Sequence, residues 1–308
     1  MSADPVPDDG AVKAHVARLF FEQGLAKRDI ATRLGMSRFK VARLLEQARA
    51  EGIVTIEIRD PIQLADQLGR RLEQAYGLDL ALVVRSGGDP DPVDTVARVA
   101  AGWLPALVQP DDVLGIAWGS TLQRICQLLA PGAVPHVPIV QVCGAVAGVD
   151  VGEGPVEITW EFARRVGGPL HPLPAPALVD SVQAMLANEA VAPTVAMFER
   201  VSFVLIGIGA LEGEGASASL RSGALRREEL PHDAVGDLLL HVFDGAGRVL
   251  DDPFPARAIQ LSVAQLAAAR VMAVAGGPGK ADAIGGALRT GLIDVLVTDE
   301  EGAQEALA

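Results

Sequence analysis

Lysine is almost absent from this sequence. Its 308 residues include four lysines, Lys13, Lys27, Lys40 and Lys280, against 22 arginines. Three of the four fall within the first 40 residues, which leaves Lys280 alone in a Gly-rich stretch of an arginine-using chain. An ammonium is a compact point charge and a guanidinium a broad fork, so the two are not interchangeable. An isolated lysine in such a stretch reads as a choice of chemistry. Cysteine is also scarce. Cys126 and Cys143 have no metal-type spacing, which favours two free thiols in a cytoplasmic protein over a zinc site or a disulfide framework. No metal and no cofactor are expected. No run of 18 residues is apolar and free of charge, so no membrane span is expected. The opening MSADPVPDDG has neither the basic start nor the apolar stretch of a secretion signal. Half of the residues are apolar, too many for a disordered chain.

What charge there is lies unevenly. The net charge is −13, which taken alone argues against a polyanionic partner. Residues 11–56, however, hold nine basic side chains and four acidic ones, a local +5 that leaves −18 for the remainder. An acidic body with a basic head confines attraction for phosphates to one end of the chain.

Residues 1–10, with two prolines and three aspartates, read as a disordered tail. Residues 11–56 read as three helices, 11–23, 27–34 and 37–50, followed by a short strand over 53–59. The stretch from Gly24 to Leu45 has helix-turn-helix spacing. Ala31 is the small residue where two helices cross, Gly35 tolerates the positive φ of the turn, and Val41 is the buried aliphatic six residues on. The second helix of such a motif enters the major groove of DNA by its N-terminus. Ser37 is placed to cap it and to meet a phosphate, Arg38 and Lys40 to reach base edges, and Arg43, Lys27 and Arg28 to touch phosphates. Ala26 stands where a capping hydroxyl is wanted at the start of the other helix, and alanine cannot cap.

Residues 57–308 alternate between apolar strands and amphipathic helices, the pattern of a parallel sheet covered on both faces. Strands are expected at 80–84, 113–117, 138–142, 203–208, 238–243, 271–275 and 294–298. Helices are expected at 62–76, 94–107, 120–129, 157–166, 181–197, 262–269 and 280–290, and the Gly-rich segment 144–156 reads as a mobile loop. Three Gly-rich turns follow strands: GIAWGSTL at 115–122, GIGAL at 207–211 and AGGPGK at 275–280. Ligands of open α/β sheets sit at the carboxyl ends of strands, and helix N-termini there seat anions. Neither GIGAL nor GGPGK is a complete nucleotide fingerprint.

Head and body together resemble the SorC family of sugar-binding transcriptional regulators. The likeness is carried by LGMSRFKVARLLEQARAEGIV (34–54), GIAWGSTL (115–122), LPAPALV (173–179), VLIGIGAL (204–211), VGDLLLHVFDGAG (235–247) and AGGPGKADAIGGALRTGLIDVLVTDE (275–300). It implies an α/β chain with an N-terminal helix-turn-helix head and a large Rossmann-like, doubly wound effector domain resembling sugar-phosphate isomerases. It further implies a homotetramer whose hold on operator DNA is altered by a phosphorylated sugar. Carried over, Gly119, Ser120 and Thr121 match the phosphate-cradling turn, Lys280 the phosphate-pairing lysine, and Asp237 the acid that takes sugar hydroxyls. Gln141 falls near another contact position and Arg221 near a further phosphate partner. Leu122 departs from the pattern, removing a hydroxyl many members have. The alternative is an active isomerase with an added head, for which Asp237 or Glu157 would serve as general base.

Overall fold

The apolar spacing of the head folds into one small core. The computed structural model describes residues 9–56, 63–85, 91–149, 152, 154–213, 216–250 and 257–308, divided between the units Met1–Pro61 and Ile62–Ala308. In the first unit α1 (Asp9–Phe21), α2 (Lys27–Arg33) and α3 (Arg38–Ala50) bury Val16, Leu19, Ile30, Val41, Leu44, Leu45 and Ala48 against one another. Gly35 makes the turn between α2 and α3 at φ +62°, a conformation costly for a residue with a Cβ. Ser37 caps α3, its hydroxyl accepting from the N–H of Lys40 at 3.1 Å, whereas Ala26 leaves α2 without a side-chain cap.

Three expectations for this unit change. Residues 9 and 10 belong to no tail, because α1 already begins at Asp9, whose carboxylate pairs with Lys13 one turn on at 2.6 Å; residues 1–8 lie outside the described residues. Lys13 does not add to an outward basic surface, since it is 5% exposed and also paired with Glu51 at 2.7 Å. Residues 53–56 form no strand. No strand lies among the described residues of this unit, and Val54 folds back, its N–H donating to Ala48 O at 3.0 Å and its side chain packing on the head core. Residues 57–59 lie outside the described residues.

The second unit is built on a seven-stranded parallel sheet of order β1-β10-β9-β5-β2-β3-β4. Its first half runs α4 (Asp66–Tyr76), β1 (Leu80–Val84), α5 (Pro92–Leu107), β2 (Leu114–Ile116), α6 (Ser120–Leu128), β3 (Ile139–Gln141), α7 (Pro155–Val166) and β4 (Leu170–His171). After α8 (Val182–Leu186) and α9 (Ala192–Phe198) the chain returns to the middle as β5 (Phe203–Gly207). There follow β6 (Gly209–Ala210), α10 (Ala218–Arg221), β7 (Ala234–Leu238), β8 (His241–Asp244), α11 (Val263–Ala268), β9 (Arg270–Val274), α12 (Ala281–Arg289), β10 (Val295–Asp299) and α13 (Glu300–Ala306). β10, β9 and β5 are buried along nearly their whole length, as a sheet covered on both faces requires. From β2 the chain steps outward to β3 and β4, then returns to the other side of β2 as β5. The β2/β5 boundary is therefore the topological switch point.

The expected strand at 238–243 is not a strand of this sheet. β7 and β8 form an antiparallel hairpin joined through Leu239 and Leu240, and with β6 they make a separate three-stranded sheet. The expected helix 181–197 is two short helices, the second carrying Pro193 in its first turn. A proline there removes an N–H and disfavours helical backbone before it. The start of the Gly-rich segment is tied down rather than free: Gly144 N–H donates to Ile259 O at 2.9 Å and Ala145 N–H to Ala175 O at 2.7 Å.

Candidate functional site

β9, β5 and β2 are neighbours in the sheet, and the three Gly-rich turns leave their carboxyl ends side by side. Together with the β6–β8 hairpin they enclose a cavity of about 240 Å³. That is smaller than the roughly 300–1,000 Å³ of drug-sized ligand sites and suits a small polar molecule better than a dinucleotide.

The turn after β2 presents a helix N-terminus to the cavity. Gly119 precedes α6 at φ +118°, ψ 165°, a backbone state open mainly to glycine, and turns the chain abruptly into the helix. Ser120 and Thr121 begin α6, whose first-turn N–H groups have no partner within the helix and carry the positive end of its dipole. All three residues line the cavity.

The turn after β9 supplies a cation. Asp299, at the end of β10, accepts from Gly277 N–H at 2.6 Å with one carboxylate oxygen and from Gly302 N–H at 2.9 Å with the other. It thus pins the Gly-rich turn to the sheet while capping α13. Lys280 sits at the N-cap of α12, and its Nζ donates to Ile208 O at 2.8 Å. Burial pulls this ammonium below the usual lysine range, opposed by the charge of Asp237. Arg221 shares the wall, with Nη1 donating to Ala216 O at 2.6 Å.

The hairpin supplies an acid. Asp237 faces Gly209 across the β6–β7 pairing and is only 3% exposed. Ser219 Oγ donates to its Oδ2 at 3.0 Å, while Oδ1 has no hydrogen-bond partner among the described residues. Burial pushes the carboxyl up to about 6, against the pull of the Ser217 and Ser219 hydroxyls and of Lys280. A buried carboxylate oxygen on a cavity wall is a ready acceptor for a ligand hydroxyl. Leu239, next on the wall, is the one non-glycine residue with positive φ among the described residues, at 60°.

The structure therefore brings Gly119, Ser120, Thr121, Asp237 and Lys280 together. It does not bring Gln141 to the cavity wall. That side chain is 1% exposed and occupied at both ends, Nε2 donating to Cys143 O at 2.8 Å and Oε1 accepting from Leu173 N–H at 3.1 Å. It cross-links β3 to the extended proline-rich connection. Glu157 is exposed on α7 and also lies off the wall. Sequence reasoning passed over Ser217 and Ser219, which flank the acid. The Ser-x-Ser spacing at the start of a short helix, with Ser217 as its cap accepting from Leu220 N–H at 3.2 Å, was the available signal.

In the head, Ser37, Arg38, Lys40, Arg43 and Arg28 are exposed, and Lys27 is half-buried with its ammonium 5.7 Å from the Phe20 ring centre. No helix among the described residues is long and apolar enough to cross a membrane.

Comparison with known proteins gives consistent results. The Sugar-bind family of sugar-binding domains matches residues 60–308. The chain is 30% identical over 300 residues to the deoxyribonucleoside regulator of Bacillus subtilis, covering 94% of each protein. It is 27% identical over 306 residues to the erythritol catabolism regulatory protein EryD of Brucella abortus, covering 96% of each. Among solved structures, the full-length sorbitol operon regulator SorC of Klebsiella pneumoniae superposes with a TM-score of 0.72 at 25% identity, covering 98% of this chain and all of that one.

Proposed function

Since the chain belongs to the SorC family of sugar-binding transcriptional regulators, we propose that its body senses a small phosphorylated sugar in the cavity at the β2/β5 switch point. It acts without catalysis, in the cytoplasm, as a homotetramer whose hold on operator DNA changes when the sugar binds. The phosphate lies on the α6 N-terminus, between the Ser120 and Thr121 hydroxyls and the Lys280 ammonium. The sugar hydroxyls turn toward Asp237. Relatives of full length that govern sugar-related operons support the regulatory half of this reading.

The observation that carries the effector half is the pairing of unlike groups in one small cavity. A buried carboxylate oxygen without a partner faces the same space as an ammonium and a free helix N-terminus. A polyol alone leaves the cationic end idle, and an inorganic anion leaves Asp237 unpaired. A molecule carrying both hydroxyls and a phosphate satisfies both ends. For catalysis of isomerisation the wall offers one carboxylate, Asp237, and among the described residues no histidine or cysteine.

In the head, α3 enters the major groove. Ser37 meets a phosphate, Arg38 and Lys40 reach base edges, and Arg43, Lys27 and Arg28 hold the backbone. The test is a melting screen of the full chain against pentose and hexose phosphates and their unphosphorylated parents, followed by band-shift of promoter fragments with each binder. A phosphorylated sugar is expected to raise the melting point and to change the DNA affinity. Equal stabilisation by the parent sugars overturns the phosphate assignment. Turnover of ribose 5-phosphate or glucosamine 6-phosphate above background overturns the regulator-only reading.

A further inference from the structure

The most exposed large apolar side chain among the described residues is Phe39, at 89%, well above Trp160 at 59%. It sits on the helix assigned to the major groove, between Arg38 and Lys40. The head does not use it. Its core is complete through Val16, Leu19, Ile30, Val41, Leu44, Leu45 and Ala48, and the two ring contacts of cations in the head go to Phe20 and Phe21.

Helix geometry explains the exposure. At about 100° per residue, Phe39 lies roughly 170° from the mean direction of Val41, Leu44, Leu45 and Ala48, so it points almost straight away from the core. Arg43, one turn on, shares that outward line, and Arg38 and Lys40 flank it. The capped start of α3 places Phe39 at the second helical residue. That is the end of a recognition helix that goes deepest into the groove.

We infer that Phe39 is a specificity-determining residue that packs its ring against the 5-methyl group of a thymine in the operator. The inference rests on the reading of the head as DNA-binding. The major groove offers one apolar feature, the thymine methyl, and phenylalanine is among the side chains that read it. Phe39 is flanked by Arg38 and Lys40, assigned above to base edges, and by Arg43, assigned to the backbone, so an apolar ring amid these exposed cations fits a nucleic-acid surface better than an apolar protein surface.

The test uses the full chain and a duplex selected by it from a randomised library. Each thymine of the protected region is replaced in turn by deoxyuridine, which keeps the base-pairing edge and removes only the methyl. One thymine position per half-site is expected to lose about fourfold in affinity, the value of one buried methyl-sized group. The variant Phe39→Ala loses a similar factor on the thymine duplex and becomes indifferent to the same replacement, whereas Phe39→Leu keeps the sensitivity. Sensitivity unchanged in Phe39→Ala, no sensitive thymine in the wild type, or a change of oligomeric state in Phe39→Ala at equal helicity each overturns the assignment and leaves the DNA-binding reading standing. A wild-type chain that enriches no duplex sinks both.

Discussion

Lys280 Nζ donates to Ile208 O at 2.8 Å, linking the start of α12 to the end of β5. An ammonium has three N–H donors, so this contact anchors the side chain without exhausting it. The contact also sets the cation beside β5, one of the two parallel strands between which the strand order reverses. The lone lysine of the body is thus held in place before any ligand arrives.

Replacing that lysine separates its role for anions from its role in folding. Lys280→Ala is expected to weaken a sugar phosphate by about 10- to 100-fold, the loss of a charge-assisted hydrogen bond. The unphosphorylated parent sugar is expected to change little. Titration calorimetry with both ligands checks this; equal losses for the two contradict it.

Asp237 makes stability depend on pH. Its folded-state carboxyl titrates near 6, above the ordinary 3.8, because burial disfavours the charge. Between those values the folded chain binds more protons than the unfolded one, so the contribution is present below pH 4 and is lost as pH rises through 6. The penalty above pH 6 is at most about 3 kcal/mol. Asp237→Asn is therefore expected to flatten the melting temperature between pH 4 and 6, to be the more stable protein at pH 7.5, and to lose effector binding. Parallel pH profiles of the two melting curves decide the point.

A methyl group at Gly209 is expected to close the site. Its Cβ would lie 2.2 Å from Asp237 Oδ1 and 2.5 Å from Ser217 Cβ, distances real atoms do not keep. Gly209→Ala should displace the acid and remove the ligand-induced melting shift. Proteolysis or circular dichroism should still report a folded sheet, since the clash involves the hairpin and not the parallel strands. Retention of normal ligand affinity would contradict the placement of Asp237.

The head can be stabilised where it is visibly incomplete. Ala26 has the extended backbone of an N-cap, φ −65° and ψ 147°, and no side-chain acceptor for the first turn of α2. Ala26→Ser is expected to add about 1 kcal/mol to unfolding of the head. Denaturant melts of the full chain, followed by a probe placed in residues 9–56, measure it.

Much of this was legible beforehand, for reasons that differ by residue. Gly35, Ser37 and Val41 announce their roles because a turn, a cap and a buried aliphatic position each demand a particular chemistry at fixed spacing. Gly119 and Lys280 were legible because strand-to-helix turns are punctuated by glycine and because lysine is rare. The β7–β8 hairpin was not. Its reversal runs through Leu239 and Leu240, with Leu239 at φ 60° and neither residue a glycine, proline or asparagine, so the apolar run reads as one buried strand. Gln141 misled because a polar residue ending a buried strand looks the same whether it meets a ligand or two backbone groups. Ser219 was hidden for the opposite reason: its role lies in a contact with Asp237 18 residues away in sequence.

The acid and the cation belong to different pieces of the body. Asp237 rides on a small antiparallel sheet that packs against α12, and Lys280 on a turn of the large parallel one. On the reading proposed above, exchange of the hairpin is expected to change which arrangement of hydroxyls is accepted while leaving the Lys280 turn as it is. A graft of residues 234–244 from a relative responding to another sugar is the smallest transplant that should re-tune the switch.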